Sequence, residues 1–359
     1  MNAVSAVINT KALVHNILHI KSLVPNSKII GVVKANAYGH GLFVVANTLV
    51  DYVDAFAVAR IDEAIALRNK GVTKPIILLE GFFCADDVPL ISKYDLTTAV
   101  HDKEQVEAIE SACIDKAINC FLKINIGMHR LGANHDEVAT LKERLEKCPN
   151  VKNPLGLISH LSVADTKGLE AYNNEQIAYF NDVAKDFAGD LCLANSAGIL
   201  SWPKSHTTWV RPGIILYGIS PFADKCGYDH NLEPVMTLKS SLIAIRKVKK
   251  GDRVGYGAAW SAPYDTTLGI VATGYGDGYP RCAPNGTPVL INGREVKTAG
   301  HVCMDMLFVD LGNDSHDKVG DEAILWGDKL PVERIAKLCG TIPYELVCHI
   351  MPRVNVECI

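Results

Sequence analysis

The sequence predicts an α/β protein, in which a (β/α)8 barrel of the TIM type is followed by a smaller, mostly β domain. Strand-like apolar runs alternate with helix-like segments over the first two-thirds of the chain. Eight such units fit into about 215 residues, as a barrel requires. From about Asn231 the pattern changes to short β-rich runs separated by Gly and Pro. We therefore expect a barrel domain at residues 1–230 and a second domain at 231–359.

Most of the predicted barrel strands are continuous apolar runs, which are typical of strands covered on both faces. No G-x-G-x-x-G motif opens the first helix, which weighs against a doubly wound dinucleotide-binding sheet. Periodic segments at 61–70, 103–112, 135–147 and 169–187 predict helices, and Gly71 is a good stop for the first of them. The eight candidate strands are residues 28–33, 55–58, 75–79, 96–100, 117–124, 154–159, 191–194 and 208–210.

The second domain is predicted to be mostly β. Asn292-Gly293 stands between two apolar runs and is a strong hairpin signal. A single late helix is predicted at 332–338. The other expected strands are residues 236–246, 267–272, 288–291, 307–311 and 322–325.

Composition excludes several classes of protein. Hydrophobic residues make up 48% and charged residues 21%, which is incompatible with wholesale disorder. A net charge of −4 with no basic stripe argues against nucleic-acid binding, and no apolar run is long enough to span a membrane. The 11 cysteines contain no C-x-x-C pair, and the histidines show no zinc spacing. We expect reduced thiols, no metal, no signal peptide and a cytoplasmic location.

Barrel enzymes place their chemistry at the C-terminal ends of the strands. Lys34 follows the first predicted strand and is a candidate Schiff-base nucleophile, although a lysine snorkelling to the rim is the plainer alternative. Arg130 follows strand five and could fix an anion or form a surface ion pair. His160 follows strand six, where a structural histidine is the commoner finding. Arg211 follows strand eight.

The loops after strands seven and eight often bind phosphate in barrels. Here they carry Asn195-Ser196 and Gly213-Ile214, whose hydroxyl and backbone amides suit that role. An amine nucleophile, a deep arginine and a phosphate cradle on one rim together suggest pyridoxal 5'-phosphate.

The sequence resembles the bacterial alanine racemases along essentially its whole length. V-V-K-A-N-A-Y-G-H-G is very close to the family's cofactor-lysine signature. Six further segments match in the family's order, which is far more specific than any single match. They are G-M-H-R-L-G, N-S-A-G, W-V-R-P-G-I-I-L-Y-G, V-G-Y-G, G-Y-G-D-G-Y-P-R and C-M-D-M.

The resemblance implies a pyridoxal-phosphate-dependent racemase with two bases, which either supplies D-alanine for cell-wall peptidoglycan or interconverts it for catabolism. Lys34 would hold the cofactor and act on the D-alanine side. Tyr256 would act on the L-alanine side, in the active site of the partner subunit of a homodimer with shared sites. Arg211 would donate to the pyridine nitrogen, with His160 between it and Tyr256. The other implied cofactor contacts are Tyr38, Arg130, Asn195, Ser196, Gly213, Ile214 and Tyr344.

The resemblance also implies a substrate site. Met304 would give a backbone amide to the substrate carboxylate, flanked by Cys303 and Asp305, and Arg130 and Tyr256 would lie beside the substrate. Tyr275 would help to form the entrance.

The resemblance also implies that Lys123 is carbamylated and that the carbamate group pairs with Arg130. The family usually has Lys-x-Asp-Thr here, whereas this chain has Asn125 and Ile126, which change the charge and hydrogen bonding around the lysine. Gly300-His301 and Ala259 also depart from common family residues.

Three other functions also remain compatible with the sequence. A pyridoxal-phosphate-dependent decarboxylase shares the architecture but is typically longer and lacks V-G-Y-G. A barrel-only cofactor homeostasis protein would not have the residues after Asn231. A racemase acting broadly on serine or basic amino acids is the nearest rival, and such proteins often carry a signal peptide.

Overall fold

The computed structural model describes residues 3–359; Met1 and Asn2, with which the predicted first domain begins, lie outside the described residues. The chain forms two compact units. The first consists of Asn16–Ala37 and Leu42–Leu216. The second consists of Tyr38–Gly41, Tyr217–Ile359 and the described residues up to His15.

The first unit contains a closed barrel of eight parallel strands, so the predicted fold class is confirmed. Each of the eight candidate runs overlaps one strand, and the strand at Val151–Ile158 begins three residues earlier than predicted. The strand at Lys28–Val32 pairs with the strand at Trp209–Val210 and closes the barrel. After β1 (Val4–Ile8), which belongs to the second unit, the barrel strands are β2 (Lys28–Val32), β3 (Ala55–Val58), β4 (Ile76–Leu78), β5 (Thr97–Val100), β6 (Ile118–Lys123), β7 (Val151–Ile158), β8 (Leu191–Cys192) and β9 (Trp209–Val210).

Helices follow the barrel strands, as the periodic segments predict. The predicted helix at 135–147 matches His135–Lys147, and Gly71 has a φ of +86°, in the left-handed region that favours glycine after a helix. The helix predicted at 169–187 ends earlier, at Val183, and Ala184–Asp186 forms a 3-10 turn. The helices are Thr10–Leu23, Leu42–Leu49, Ile61–Asn69, Asp87–Lys93, Lys103–Ser111, His135–Lys147, Glu170–Val183 and Ser196–Ser201.

The second unit is built on a mostly antiparallel eight-stranded sheet. Its strand order is β13 (Thr266–Val271), β16 (Leu307–Gly312), β15 (Arg294–Thr298), β14 (Pro288–Ile291), β17 (Glu322–Trp326), β10 (Met236–Val248), β1 and β18 (Asn355–Cys358). The hairpin at Asn292-Gly293 is confirmed, since both residues have positive φ and β14 and β15 pair across them. The helix predicted at 332–338 matches Val332–Cys339. The prediction of a single late helix is wrong, because Pro343–Cys348 forms a second one, with Pro343 at its first position. The other two strands, β11 (Arg253–Val254) and β12 (Trp260–Ser261), form a separate antiparallel pair.

The division of the chain into compact units differs in two places from a single boundary at residue 231. β1 lies between β10 and β18 in the sheet of the second unit, and all five of its residues are buried. The segment Tyr38–Gly41 also belongs to that unit. There Gly39 has a φ of +79°, and a Cβ on it would lie 1.9 Å from the carbonyl oxygen of Val347. This close approach requires glycine.

The described residues contain neither a membrane-spanning helix nor a cluster of metal-ligating side chains. Within residues 3–359, no helix is long and apolar enough to cross a membrane. The same residues contain no group of three or more His, Cys, Asp or Glu side chains arranged to hold a metal ion.

Candidate active site

Lys34 lies where β2 ends, at the C-terminal rim of the barrel, as the sequence predicts. Its Nζ is 4.0 Å from a carboxylate oxygen of Glu80, which follows β4, and its side chain is 37% exposed. Arg60 also approaches Glu80, at 3.6 Å. Lys34 is therefore an accessible amine held beside a carboxylate.

The backbone after Lys34 is left-handed. Ala35, Asn36, Ala37 and Tyr38 all have φ between 52° and 54°. Such a run is unfavourable for residues with a Cβ, by about 1–2 kcal/mol each, and strain of this kind is concentrated at functional sites. The side chain of Asn36 accepts a hydrogen bond from the N–H of Leu42 at 2.8 Å, which helps to hold the turn.

Arg211 follows β9 and is 5% exposed. Its terminal nitrogens donate to the carbonyl oxygen of Ser159 at 2.7 Å and to the carbonyl oxygen and Sγ of Cys192 at 3.2 and 3.1 Å. One of them also lies 3.3 Å from Nδ1 of His160. None of the described residues accepts a hydrogen bond from its Nε. The guanidinium is thus fixed by neighbours while one donor remains for a ligand.

His160 is held in its neutral form. Desolvation lowers its pKa well below the ordinary value, and the charges of Arg211, Arg130, Lys123 and Lys34 lower it further. A guanidinium is only a donor, so Nδ1 of His160 must accept from Arg211, and the ring proton must be on Nε2. Nε2–H is then available to donate to a further group.

Lys123 ends β6 and is buried, with 8% of its surface exposed. Its Nζ donates to the carbonyl oxygen of Leu79 at 2.7 Å. Burial and the charges of Arg211 and Arg130 lower its pKa from the ordinary 10.5 to about 7. A substantial fraction of Lys123 is therefore an uncharged amine at neutral pH.

Asn125 organises the loop that carries Arg130. Its side-chain oxygen accepts from the N–H groups of Gly127 and His129, each at 3.0 Å. Its amide nitrogen contacts Nδ1 of His129 at 2.9 Å and Oδ1 of Asn134 at 3.2 Å. Asn125 thus uses its polar atoms within its own loop. Arg130 is exposed and makes no hydrogen bond or ion pair with any residue that the structure describes.

The predicted phosphate cradle lies at the ends of β8 and β9. Oγ of Ser196 accepts from the N–H of Gly213 at 2.9 Å, which joins the two loops. Ile214 begins a 3-10 turn, where the first N–H groups have no intrahelical acceptor. Asn195 lies beside them but caps a helix: its side-chain oxygen accepts from the N–H of Gly198, and its amide donates to Leu161.

Two further predicted phosphate ligands meet in the second unit. The rings of Tyr38 and Tyr344 are 5.9 Å apart, and the ring of Tyr217 is 5.0 Å from that of Tyr38. Tyr38 is buried. The structure therefore brings the two predicted tyrosines together in one aromatic cluster.

Tyr256 is the most exposed aromatic side chain among the described residues, at 71%. It lies between Gly255 and Gly257, whose φ values of +72° and +67° require a tight turn. No described residue makes a hydrogen bond with it. A large aromatic side chain presented on a turn in this way is typical of an interaction site.

The predicted substrate-binding segment lies next to Tyr275. The N–H of Tyr275 donates to the carbonyl oxygen of Cys303 at 3.1 Å, and that of Gly276 to the carbonyl oxygen of Met304 at 2.8 Å. Met304 is 54% exposed, and no described residue accepts a hydrogen bond from its N–H. The carboxylate of Asp305 is already paired, with Arg353 at 2.9 Å.

Sequence reasoning did not find Glu80 or Arg353. Both are charged residues in segments that show no catalytic pattern, and their partners are distant in the chain. In the sequence, Glu80 is distinguished only by its position directly after a predicted barrel strand, a position of the same kind as that of Lys34.

Comparison with known proteins identifies the family. Residues 8–221 match the model of the alanine racemase N-terminal domain, and residues 235–358 match that of the alanine racemase C-terminal domain. The chain is 55% identical to an alanine racemase of Aeromonas hydrophila over 99% of both chains. It is 51% identical to a protein named biosynthetic alanine racemase of Escherichia coli, again over 99% of both.

Solved structures agree with these matches. The crystal structure of the biosynthetic alanine racemase from Pseudomonas aeruginosa has a TM-score of 0.96 and 41% identity, with complete coverage of both chains. The structure of alanine racemase from Acinetobacter baumannii has a TM-score of 0.92 and 34% identity, also with complete coverage. The decarboxylase and the barrel-only protein are thereby set aside. The chain belongs to the alanine racemase family, the amino-acid racemases that interconvert L- and D-alanine.

Proposed function

We propose that Lys34 holds pyridoxal 5'-phosphate and is one of two catalytic bases, the other being Tyr256 of the partner subunit. Alanine racemases are pyridoxal-phosphate-dependent enzymes. The observation that carries the proposal is the grouping of Lys34, Arg211 and His160 at one rim of the barrel, with the Nε donor of the buried Arg211 left for a ligand.

The residues present fit this cofactor. Lys34 offers an accessible amine, and Arg211 offers a donor for the pyridine nitrogen. Arg130, which lacks an anionic partner among the described residues, suits the phenolic oxygen. Ser196 and Ile214 suit the phosphate, because a hydroxyl and a free N–H at the start of a turn bind anions well.

The bound cofactor would supply an electron-withdrawing ring that stabilises the carbanion at the substrate Cα. Arg211 would limit this stabilisation, because a guanidinium does not give up its proton to a ligand nitrogen that accepts from it. Weaker withdrawal of charge from Cα would favour return of the proton to that carbon. This favours racemisation over transamination.

Racemisation needs one base on each face of a planar centre. Lys34 takes or returns the proton on the D-alanine face, and Tyr256 does so on the L-alanine face. Neutral His160 connects the two sides of the site: it accepts from Arg211 through Nδ1, and its Nε2–H can donate to the phenolate oxygen of Tyr256. This hydrogen bond would stabilise the phenolate form, which is the form that acts as a base.

The exposure of Tyr256 supports its role in a partner subunit. A side chain that is 71% exposed and has no hydrogen-bond partner among the described residues can enter a second molecule. Tyr275 and Met304 belong to the same compact unit as Tyr256, and the free N–H of Met304 suits a substrate carboxylate. We therefore propose a homodimer in which two subunits complete each active site.

We also propose that Lys123 is carbamylated. Its neutral amine attacks carbon dioxide, an N–C bond forms and one proton is released, which leaves a carbamate anion beside Arg130 and Arg211. A cavity of about 10 Å³, room for roughly one water molecule, lies against Lys123 and is lined by Asn125, Arg130 and His160 among others. With ¹³C-bicarbonate, the wild-type protein should show a carbamate carbon signal that Lys123→Met lacks. An equal signal in both proteins would refute the modification.

The biosynthetic names of several relatives support a further proposal. The protein from Escherichia coli and the solved structure from Pseudomonas aeruginosa are both described as biosynthetic. We propose that this chain supplies D-alanine for cell-wall peptidoglycan.

Reduction with borohydride followed by peptide mapping tests the cofactor assignment. The cofactor should be fixed to the peptide that contains Lys34. Lys34→Ala should lose both this adduct and nearly all racemisation, because the anchor and one base are removed together. Lys28→Ala, a change of the lysine that begins β2, the strand that precedes Lys34, is the matched control and should keep both. An adduct at another lysine would overturn the assignment.

A further inference from the structure

We propose that Arg353 is a positioning residue, which holds the Tyr275 and Met304 segments in the register needed to bind the substrate. The proposal rests on the substrate-binding roles given above to Met304 and Tyr275. It adds a residue that touches neither cofactor nor substrate but fixes the groups that do.

Arg353 bridges two acidic residues in separate segments. Its Nε donates to Asp277 at 2.7 Å, and a terminal nitrogen is 2.9 Å from a carboxylate oxygen of Asp305. The other terminal nitrogen is 3.5 Å from the carbonyl oxygen of Met304. One planar guanidinium therefore joins the residue after Met304 to the turn that follows Tyr275.

Asp277 transmits this contact to Tyr275. Its side chain is buried, and its second carboxylate oxygen accepts from the N–H of Gly274 at 2.9 Å, just before Tyr275. Its carbonyl oxygen accepts from the N–H of Met351, so the segment of Arg353 is also tied to it by backbone. The Tyr275 turn is thus held from both ends by groups that Arg353 and its segment contact.

The two segments lie too close together to shift freely. A Cβ on Gly274 would lie 2.3 Å from the carbonyl oxygen of Cys303, and a Cβ on Gly276 would lie 2.6 Å from Arg353 itself. The backbone bond from Gly276 to Met304 then sets the orientation of the Met304 peptide. Since the N–H of Met304 has no acceptor among the described residues, that orientation decides where a substrate carboxylate can bind.

A structural role alone would not explain this arrangement. The pair of Arg353 with Asp305 joins side chains that are 47% and 57% exposed, so it contributes little to global stability. The pair with the buried Asp277 acts on the turn that contains Tyr275. The effect of Arg353 is therefore local. Lysine at this position would keep the charge but not the planar fork that reaches both carboxylates.

Hydrogen exchange and steady-state kinetics on the holoenzyme test the proposal. In Arg353→Ala and Arg353→Lys, peptides covering residues 274–279 and 302–307 should exchange faster than in the wild type. KM for alanine should rise about tenfold with a smaller change in kcat, because ground-state positioning is lost. Arg334→Ala is the matched control: Arg334 has a side chain 47% exposed and is ion-paired with Glu295, on another part of the same unit.

Each outcome decides the proposal. Faster exchange with raised KM supports it, provided that Arg334→Ala changes neither quantity. Unchanged exchange in both peptides overturns it. Faster exchange with unchanged KM overturns the link between Arg353 and substrate binding. If that variant still forms the borohydride-reduced adduct at Lys34, the cofactor assignment is unaffected by this result. A fully active Arg353→Lys would also overturn it, since the fork would then be dispensable.

Discussion

The buried amine of Lys123 makes the stability of the protein depend on pH in a way that a single substitution removes. Its pKa is lowered from 10.5 to about 7 by desolvation and by the charges of Arg211 and Arg130. Between these two values the unfolded chain binds a proton at Lys123 that the folded protein does not. Stability therefore rises with pH across this window, and the full cost of the depressed pKa is present below pH 7.

The size of the effect follows from the two pKa values. Between pH 7 and pH 9 the contribution of Lys123 to the free energy of unfolding should increase by about 2 kcal/mol. Lys123→Met removes the titrating group and keeps a side chain of similar length. Between pH 7 and pH 9, the free energy of unfolding of this variant should therefore rise by about 2 kcal/mol less than that of the wild type.

Urea unfolding of the apoprotein at fixed concentration measures this difference. The buffers must be free of carbon dioxide, because a carbamylated lysine would not titrate as an amine. Lys152→Met, a change of a half-exposed lysine in β7, is the matched control and should follow the wild type. Parallel pH dependences in wild type and Lys123→Met would refute the claim that Lys123 is desolvated and neutral.

Two other substitutions test separate parts of the site. Tyr256→Phe should slow both directions by the same factor in kcat/KM, about a hundredfold to ten-thousandfold, since the equilibrium is unchanged. In deuterated water this variant should still exchange the Cα proton of D-alanine through Lys34 faster than it forms L-alanine. If L-alanine exchanges its Cα proton as fast as D-alanine, Tyr256 is not the base on the L-alanine face. Asn36→Ala loses the bond that holds the left-handed turn, and should lower the free energy of unfolding in urea by about 1 kcal/mol. A variant with unchanged stability would show that the turn is held by other contacts.

The barrel was predictable because its signals are local. Most strands, such as β3 (Ala55–Val58), are continuous apolar runs, and several helices between them have capping residues and a 3.6-residue period. The rule that barrel chemistry lies after the strands then placed Lys34, His160 and Arg211 at one rim. The structure brings Arg211 and His160 into contact, as the resemblance implied.

Other features depend on contacts that a sequence does not display. β1 pairs with β10, more than two hundred residues away, so its place in the second unit had no local signal. The left-handed run after Lys34 contains no glycine until Gly39, and residue preferences argue against it. Arg353 meets Asp277 across 76 positions of the chain.

The central claim is that two subunits share each active site, with Lys34 from one and Tyr256 from the other. Inactive Lys34→Ala and Tyr256→Phe proteins should be mixed in equal amounts under conditions that allow subunit exchange. Hybrid dimers would then contain one intact site and one doubly altered site. Since half of the dimers are hybrids, we predict recovery of about a quarter of wild-type activity. No recovery, with hybrids demonstrated by native mass spectrometry, would contradict the account.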